Sequence, residues 1–484
     1  MSGRTKNYRI GLVDADLLCN GTRHPNLALL KIAGFFRDNG FFRKEANSLI
    51  PYNASTYELL TNECNFEGLH QLDHIYVSCV FSFTLDNPPL LLSYLLNNKK
   101  LAKKIHMGGT GSYANLSIEN GFAEKREEDM QRLENDEFLN KLNNKSGAKG
   151  IDMRTQMPDY HLYDDFISVM ESVKSSPKYY KDYKEYSIGF LTRGCFRRCP
   201  FCVNKLERKS MPYSKLDDFL DQERDEKGRL VRPYIYLWDD NFLASPYWEP
   251  LLDELIATGR PFQFRQGLDE RLIAQSRRGK DMAKKLANAN YHGDFIFAFD
   301  NWFDRKLIEK ALKIWKTYCP KKETKFYLFC GFKQTPTDDK RFQLDIAEIF
   351  MRICVLMRYR CLGYIMRHED YKKAPMPNIY VQIARWCNQP GFYRNLSFWE
   401  YCYKNQTYWE EHTLGIKHER LKSYEEFLDD LNEGYYEDKK ICLTLKTCYD
   451  FLESHKHHKN LFLSFFNMSF KKMEDLTLGE EIEQ

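Results

Sequence analysis

Three cysteines carry the clearest chemistry in this chain. Cys195, Cys199 and Cys202 stand at C-x3-C-x2-C spacing within YSIGFLTRGCFRRCPFCVNK, residues 186–205. Thiolates are soft ligands, and three on one short segment point to a metal. A structural zinc takes four protein ligands, yet no other Cys or His lies within about 30 residues on either side. A [4Fe–4S] cluster is usually held by four thiolates, so three would leave one iron open to a non-protein ligand. An open coordination position is what a catalytic metal centre needs.

The apolar run before the triad is the strand that must position it. The cysteines then occupy the loop leaving the C-terminal end of that strand, which in β/α barrels is the catalytic face. A rhythm continues from there. Strands are expected at 186–192, 233–238, 261–265, 294–299, 325–330 and 361–366. Their starts lie roughly 30 to 45 residues apart, the length of one β/α unit. Six units predict a partial (β/α)6 TIM-like barrel. DIAEIFMRICVLMRYR, residues 345–360, is apolar on most faces and reads as a deeply packed helix. Upstream, residues 8–13 read as a buried strand. HPNLALLKIAGFFRDNG follows as a helix with Gly40 as its cap. Further strands are expected over 74–83 and 104–107, the second leading into the turn Gly108-Gly109-Thr110-Gly111.

This alternation predicts an α/β chain. A doubly wound, Rossmann-like domain is expected over 1–122, a charged surface helix and linker over 123–154, the barrel over 155–370, and a mostly helical extension over 371–484. The HKHHK run at 455–459 reads as a solvated face.

Composition narrows the function classes. Of the 484 residues, 43% are hydrophobic and 29% charged, which excludes wholesale disorder. No apolar run approaches the roughly 18 to 20 residues that span a bilayer. MSGRTKNYRIGLVDADLL lacks the apolar core of a signal peptide, so a cytoplasmic location without a membrane partner is expected. Most of the 14 cysteines would then be reduced. The net charge of +4 does not announce a nucleic-acid binder but leaves room for a local patch. Arg193, Arg197, Arg198, Lys205, Arg208 and Lys209 crowd the cysteine loop. They read as solvated charge, as counter-charge for an anionic cluster, or as contacts to an anionic substrate such as a nucleotide or nucleic acid.

The cysteine spacing, with Phe201 before the third cysteine, resembles the radical S-adenosylmethionine (radical SAM) superfamily. The resemblance covers roughly residues 155–370. It includes TRGC at the head of the loop, Asp239-Asp240-Asn241 after the second strand, Gln266-Gly267-Leu268-Asp269 after the third and Asp300-Asn301 after the fourth. It implies that Cys195, Cys199 and Cys202 hold three irons of a [4Fe–4S] cluster. The amino and carboxylate groups of SAM would chelate the fourth. Reductive cleavage of SAM would then yield a 5′-deoxyadenosyl radical acting on a substrate the residues do not name. A reductant such as flavodoxin or ferredoxin would supply the electron.

The same resemblance implies that Phe201 lies near the adenine. Asp239, Asp240 and Asn241 stand where the family binds the amino group, often with Gly-Gly-Glu. Gln266 and Asp300 would reach ribose hydroxyls or the methionine carboxylate, and Gly331 would let backbone approach the adenine.

Residues 1–122 resemble the cobalamin-binding-type domain that precedes many such modules. The Asp-x-His-x-x-Gly motif is missing, since Asp14, His24 and Gly40 do not match its spacing. Cobalamin is therefore allowed but not favoured, and contact with substrate or partner is the simpler role.

Three rival readings stand. One is a methylthiotransferase of tRNA or protein, which would need Cys19, Cys64 and Cys79 for a second cluster, although their flanking residues do not match. Another is a cobalamin-dependent methylase acting on tRNA, protein or a small molecule. The third is a metal-stabilised nucleic-acid-binding protein without radical chemistry. Cys387, Cys402, Cys442 and Cys448 read as buried thiols of the helical tail.

Overall fold

The computed structural model describes residues 7–45, 49–114, 116, 118–143, 150–173 and 180–473. An unbroken apolar run makes the first strand. β1 (Arg9–Asp14) is buried from Ile10 onward, as a strand covered on both faces must be. It lies in the middle of a five-stranded sheet with β2 (Phe42–Arg43), β3 (Thr56–Leu59), β4 (His74–Ser78) and β5 (Ile105–Gly108), in the order β2-β3-β1-β4-β5. Every neighbouring pair is parallel. The helix Leu27–Asp38 forms as its spacing predicts, capped by the Asn26 side chain on Leu29 N–H at 3.2 Å. Gly40 follows the cap residue Asn39 at a left-handed φ of 81°.

The expected strand over 74–83 stops at Ser78. The Asp16 carboxylate takes the N–H groups of Val80 (2.6 Å) and Phe81 (3.3 Å) and the Thr84 hydroxyl (2.7 Å). The two N–H groups are then lost to any ladder, and Ser82–Asp86 turns into a short helix.

The chain divides into two compact units, Met1–Gln263 and Phe264–Gln484, a division inside the span 155–370. All six strands expected between 186 and 366 form, three in each of two sheets. In the first unit, β6 (Tyr186–Gly189) is followed by the short β7 (Thr192–Arg193) and β8 (Met211–Pro212). Then come β9 (Tyr234–Leu237) and β10 (Phe262–Phe264), with sheet order β10-β9-β6. β6 and β9 are parallel, and Tyr186 stacks on Tyr236 with ring centres 3.7 Å apart. Residues from 151 to 183 share one core with the five-stranded sheet. Tyr160, Leu162, Tyr163, Ile167, Tyr180 and Tyr183 pack with Ile10, Leu12, Leu29, Leu30 and Phe36. The expected charged linker contains the helices Phe122–Arg132 and Glu137–Leu142; its residues 144–149 lie outside the described ones.

In the second unit, β11 (Phe295–Ala298), β12 (Thr324–Cys330) and β13 (Leu362–Arg367) form a parallel sheet in chain order. The deeply packed helix runs Asp339–Arg358 and buries Phe342, Ile346, Ile349, Phe350, Ile353 and Leu356. Helices also dominate the described part of the C-terminal span. His455, read as part of a solvated face, is instead buried. The rings of Phe342, Phe451 and Phe462 surround it, and Asp339 Oδ1 lies 3.1 Å from Nε2. Among the described residues no helix is long and apolar enough to cross a membrane.

One hydroxyl joins the stretch before β6 to the β10-β9-β6 sheet. Tyr160 Oη accepts the Ile188 N–H at 2.8 Å and donates to the Phe219 carbonyl at 2.7 Å, fully buried. Tyr160→Phe leaves both groups unsatisfied away from water, at about 1–3 kcal/mol. The urea midpoint of the variant is expected to fall accordingly. An unchanged midpoint would show that the hydroxyl is not part of the support.

Candidate metal centre

The cysteine loop is built as a zipped stem with an open tip. β7 pairs antiparallel with β8, Thr192 opposite Pro212 and Arg193 opposite Met211. Tyr213 N–H donates to Leu191 O at 2.8 Å on one side of this pair, and Cys195 N–H donates to Glu207 O at 3.0 Å on the other. Gly194 makes the stem this narrow. It sits at φ 104°, and a Cβ there would lie 2.0 Å from the Lys209 carbonyl oxygen. Only glycine allows that approach.

The three residues after β9 hold the stem in place. Asp239, buried, accepts from Leu191 N–H (3.2 Å), Thr192 N–H (2.5 Å) and Thr192 Oγ1 (2.6 Å). Asp240 accepts from Gly194 N–H (2.8 Å) and Asn204 Nδ2 (3.1 Å) and faces Arg193 Nε at 3.5 Å. Asn241 Nδ2 points at Cys195 Sγ, 3.4 Å away. The structure thus brings Asp239, Asp240 and Asn241 together with the cysteine loop. Their side chains position the loop itself, a role the sequence did not suggest.

Further N–H groups address the sulfurs. Arg197 N–H lies 3.5 Å from Cys195 Sγ and Asn204 N–H 3.3 Å from Cys202 Sγ. All three cysteines and Phe201 are half-buried. Burial pushes the Cys202 thiol up, and Asp240 and Cys195 push the same way, against the Asn204 N–H and Lys205.

The outer side of the loop leans on the segment after β5. Lys205 Nζ donates to Leu116 O (2.7 Å) and Ala114 O (3.4 Å) and lies 4.5 Å from the centre of the Phe122 ring. Arg126 pairs with Glu207. Nothing in the charged segment's pattern announces this brace. Asn204, two residues past the third cysteine, is a site residue that the spacing alone did not single out.

Among the described residues no three His, Cys, Asp or Glu side chains are grouped as a metal ion would require. Three thiols have nothing of their own to draw their sulfurs to one point; ligand closure and metal binding go together. The donor set nonetheless fits a thiolate-held cluster. It offers three sulfurs on one loop with N–H donors aimed at two of them, the kind of contact that tunes such clusters. Cys19, Cys64 and Cys79 form no comparable set. Cys79 Sγ faces Asp16 (3.8 Å) and Phe81 O (3.3 Å), while Cys19 Sγ faces Asn87 O at 3.7 Å.

The remaining candidates lie in the second unit. Gln266 is exposed. Asp300 accepts the Phe329 N–H at 3.2 Å, and burial raises its pKa against the pull of Arg352. Gly331, at φ 75°, donates to Asp345 Oδ2 at 2.7 Å, and a Cβ there would meet Tyr371 Cβ at 2.6 Å. Asn301 caps the next turn, accepting from Phe303 N–H at 3.1 Å. Asp269 and Asp304 share Arg271, at 2.7 and 2.6 Å. The sequence reading passed over Glu270, which is buried and accepts from Ala298 N–H at 3.2 Å.

Compared with protein-family models and with curated proteins, the sequence matches none of them.

Burial pushes Asp239 up to about 7 from its ordinary 3.8, against the hydrogen bonds from Thr192 and Leu191. Between those values the folded chain keeps a proton that the unfolded chain has released. The contribution of this group to stability is therefore whole below about pH 4 and is lost as pH rises through about 7. At about 1.4 kcal/mol per unit, wild type should lose roughly 2–3 kcal/mol between pH 5 and 7.5 that Asp239→Asn does not. Urea unfolding of both at the two pH values measures the difference; equal losses would refute it.

The Asp240 latch has a simpler test. Asp240→Ala should speed tryptic cleavage after Arg197, Arg198, Arg208 or Lys209 by roughly tenfold or more, as the loop opens locally. Equal cleavage rates would mean that the latch does not hold the loop.

Proposed function

We propose that this chain is a radical SAM enzyme, with Cys195, Cys199 and Cys202 as the ligands of one [4Fe–4S] cluster. The observation that carries this reading is the loop: a stem fixed on both strands, with three half-buried thiols at its tip and amide donors directed at two sulfurs. The bound cluster would supply one-electron reductive cleavage of the sulfonium C–S bond of SAM, the source of radical chemistry on the substrate.

The chain's own residues do the holding. Asp239 fixes Leu191 and Thr192 at the root of the loop. Asp240 fixes Gly194 and Asn204, so the backbone on both sides of the cysteines keeps its place. The amide groups of Asn241, Arg197 and Asn204 put partial positive charge at sulfur, which moderates thiolate charge. Arg193 and Lys205 add positive charge close by.

The parallel pairs β6–β9, β11–β12 and β12–β13, with helices between successive strands, support the β/α alternation that a partial (β/α)6 barrel over 155–370 requires. The parallel order β2-β3-β1-β4-β5 supports a Rossmann-like, cobalamin-binding-type domain over 1–122. In doubly wound sheets ligands enter beside the strand where the order reverses. Here Asp16 and the backbone of Val80 and Phe81 fill that place beside β1 and β4. This favours substrate or partner contact over cobalamin as the work of this domain.

The test is anaerobic. The chain is reconstituted with iron and sulfide, given SAM and dithionite, and assayed for 5′-deoxyadenosine by mass spectrometry beside Cys199→Ala. The reading predicts product in the wild type and none in the variant. Equal product in both, or none from an iron-loaded wild type supplied with SAM at saturation, would refute it.

A further inference from the structure

The cations of the cysteine loop exceed what holding the loop requires. Between residues 193 and 210 there are six Arg and Lys side chains and one carboxylate, Glu207, which Arg126 already takes. Arg193 is held by Asp240 and lies 4.3 Å from the Phe190 ring centre. Lys205 turns inward onto two carbonyls. Arg198, Arg208 and Lys209 stand exposed. Beside them, apolar side chains face water: Phe196 is 43% exposed and Val203 39%, and the Arg197 guanidinium lies 4.6 Å from the Phe196 ring centre.

The segment after β5 that Lys205 leans on also touches the loop after β4. Thr110 Oγ1 donates to Val80 O at 2.9 Å. Next to it, Phe81 (48% exposed) and Phe83 (43%) stack on each other in the open, ring centres 5.2 Å apart and planes within 12°. Their loop is held by Asp16 through the N–H groups of Val80 and Phe81. The backbone that carries the first of these rings is therefore fixed. Contiguous exposed aromatics of this kind mark an interaction site.

We propose that this surface, formed by the loops after β4, β5 and β6, binds single-stranded nucleic acid. Exposed ring faces take unpaired bases, and Arg198, Arg208 and Lys209 take the phosphates between them. An acidic protein would match the cations but has no use for a pair of exposed, parallel phenyl rings. Where the radical reading holds, the bound strand is the substrate class presented to the cluster loop; strand binding itself needs neither cluster nor SAM.

The test uses the full chain without cofactors and a labelled, mixed-sequence strand of about 20 nucleotides, as RNA and as DNA, read by fluorescence anisotropy. With three or four phosphates neutralised, the slope of log K against log salt should be about −2 to −3. Changing Arg198, Arg208 and Lys209 together to Glu should weaken binding by at least roughly 30-fold and flatten the slope by about 2. Phe81→Ala should weaken binding roughly tenfold with the slope unchanged, because stacking carries no counterion term. Thermal melts matching the wild type establish that the variants are folded.

A preference for RNA or for DNA identifies which strand the site takes. No saturable binding of either at low salt would overturn the proposal. So would binding that neither set of changes alters. Polyglutamate competing as well as the strand, with Phe81→Ala silent, would assign the surface to an acidic protein and overturn it too. Strand binding by a chain that forms no 5′-deoxyadenosine would leave this inference standing and remove only the radical reading.

Discussion

The cysteine loop depends on one buried carboxylate. Asp239 sits out of water and receives three hydrogen bonds from Leu191 and Thr192, on the neighbouring strand's exit. A carboxyl group buried without partners would be strongly disfavoured; here its donors are the backbone that must be aimed. The contact therefore works in both directions. The loop satisfies the acid, and the acid fixes where the loop leaves β6. Asp240 and Asn241 extend the same logic outward, to Gly194 and Asn204 and then to the sulfur of Cys195. From the end of β9 to the first thiol there is an unbroken line of hydrogen bonds.

That line needs a stiff base. β6 and β9 are short, four residues each, and a pair of such strands is weak alone. Their rigidity comes from stacked tyrosines across the pair and from the Tyr160 hydroxyl bridging Ile188 to Phe219. Tyr160 itself belongs to the core of the five-stranded sheet. The first unit thus carries the thiols on a frame built from its five-stranded sheet and from the β6–β9 pair. The brace from Lys205 and Arg126 adds a second support on the loop's far side.

Much of this was legible where chemistry and local pattern coincide. The cysteine spacing, the glycine of TRGC and the acids after β9 all lie within short, strongly patterned segments. The six strands could be read because each is an apolar run bounded by polar turns. β2 and β3 could not: FR and TYEL are short and carry little apolar pattern, and they become strands because β1 offers an edge to β3 and β3 in turn to β2. The early end of β4 depends on Asp16, more than 60 residues away in sequence. The roles of Arg126 and Lys205 depend on partners 81 and 89 residues distant. His455 looked solvated because its neighbours in sequence are charged, while its neighbours in space are phenyl rings. In each case a tertiary partner decided what local sequence left open.

The central claim is that three thiols on this loop hold a cluster with one iron left for an outside ligand. It is tested most directly by low-temperature EPR of the anaerobically reconstituted, reduced chain with and without SAM, alongside iron and sulfide analysis. The account predicts about four irons per chain and a cluster signal that changes when SAM is added. A colourless chain holding a single zinc, or a cluster signal indifferent to SAM, would contradict it.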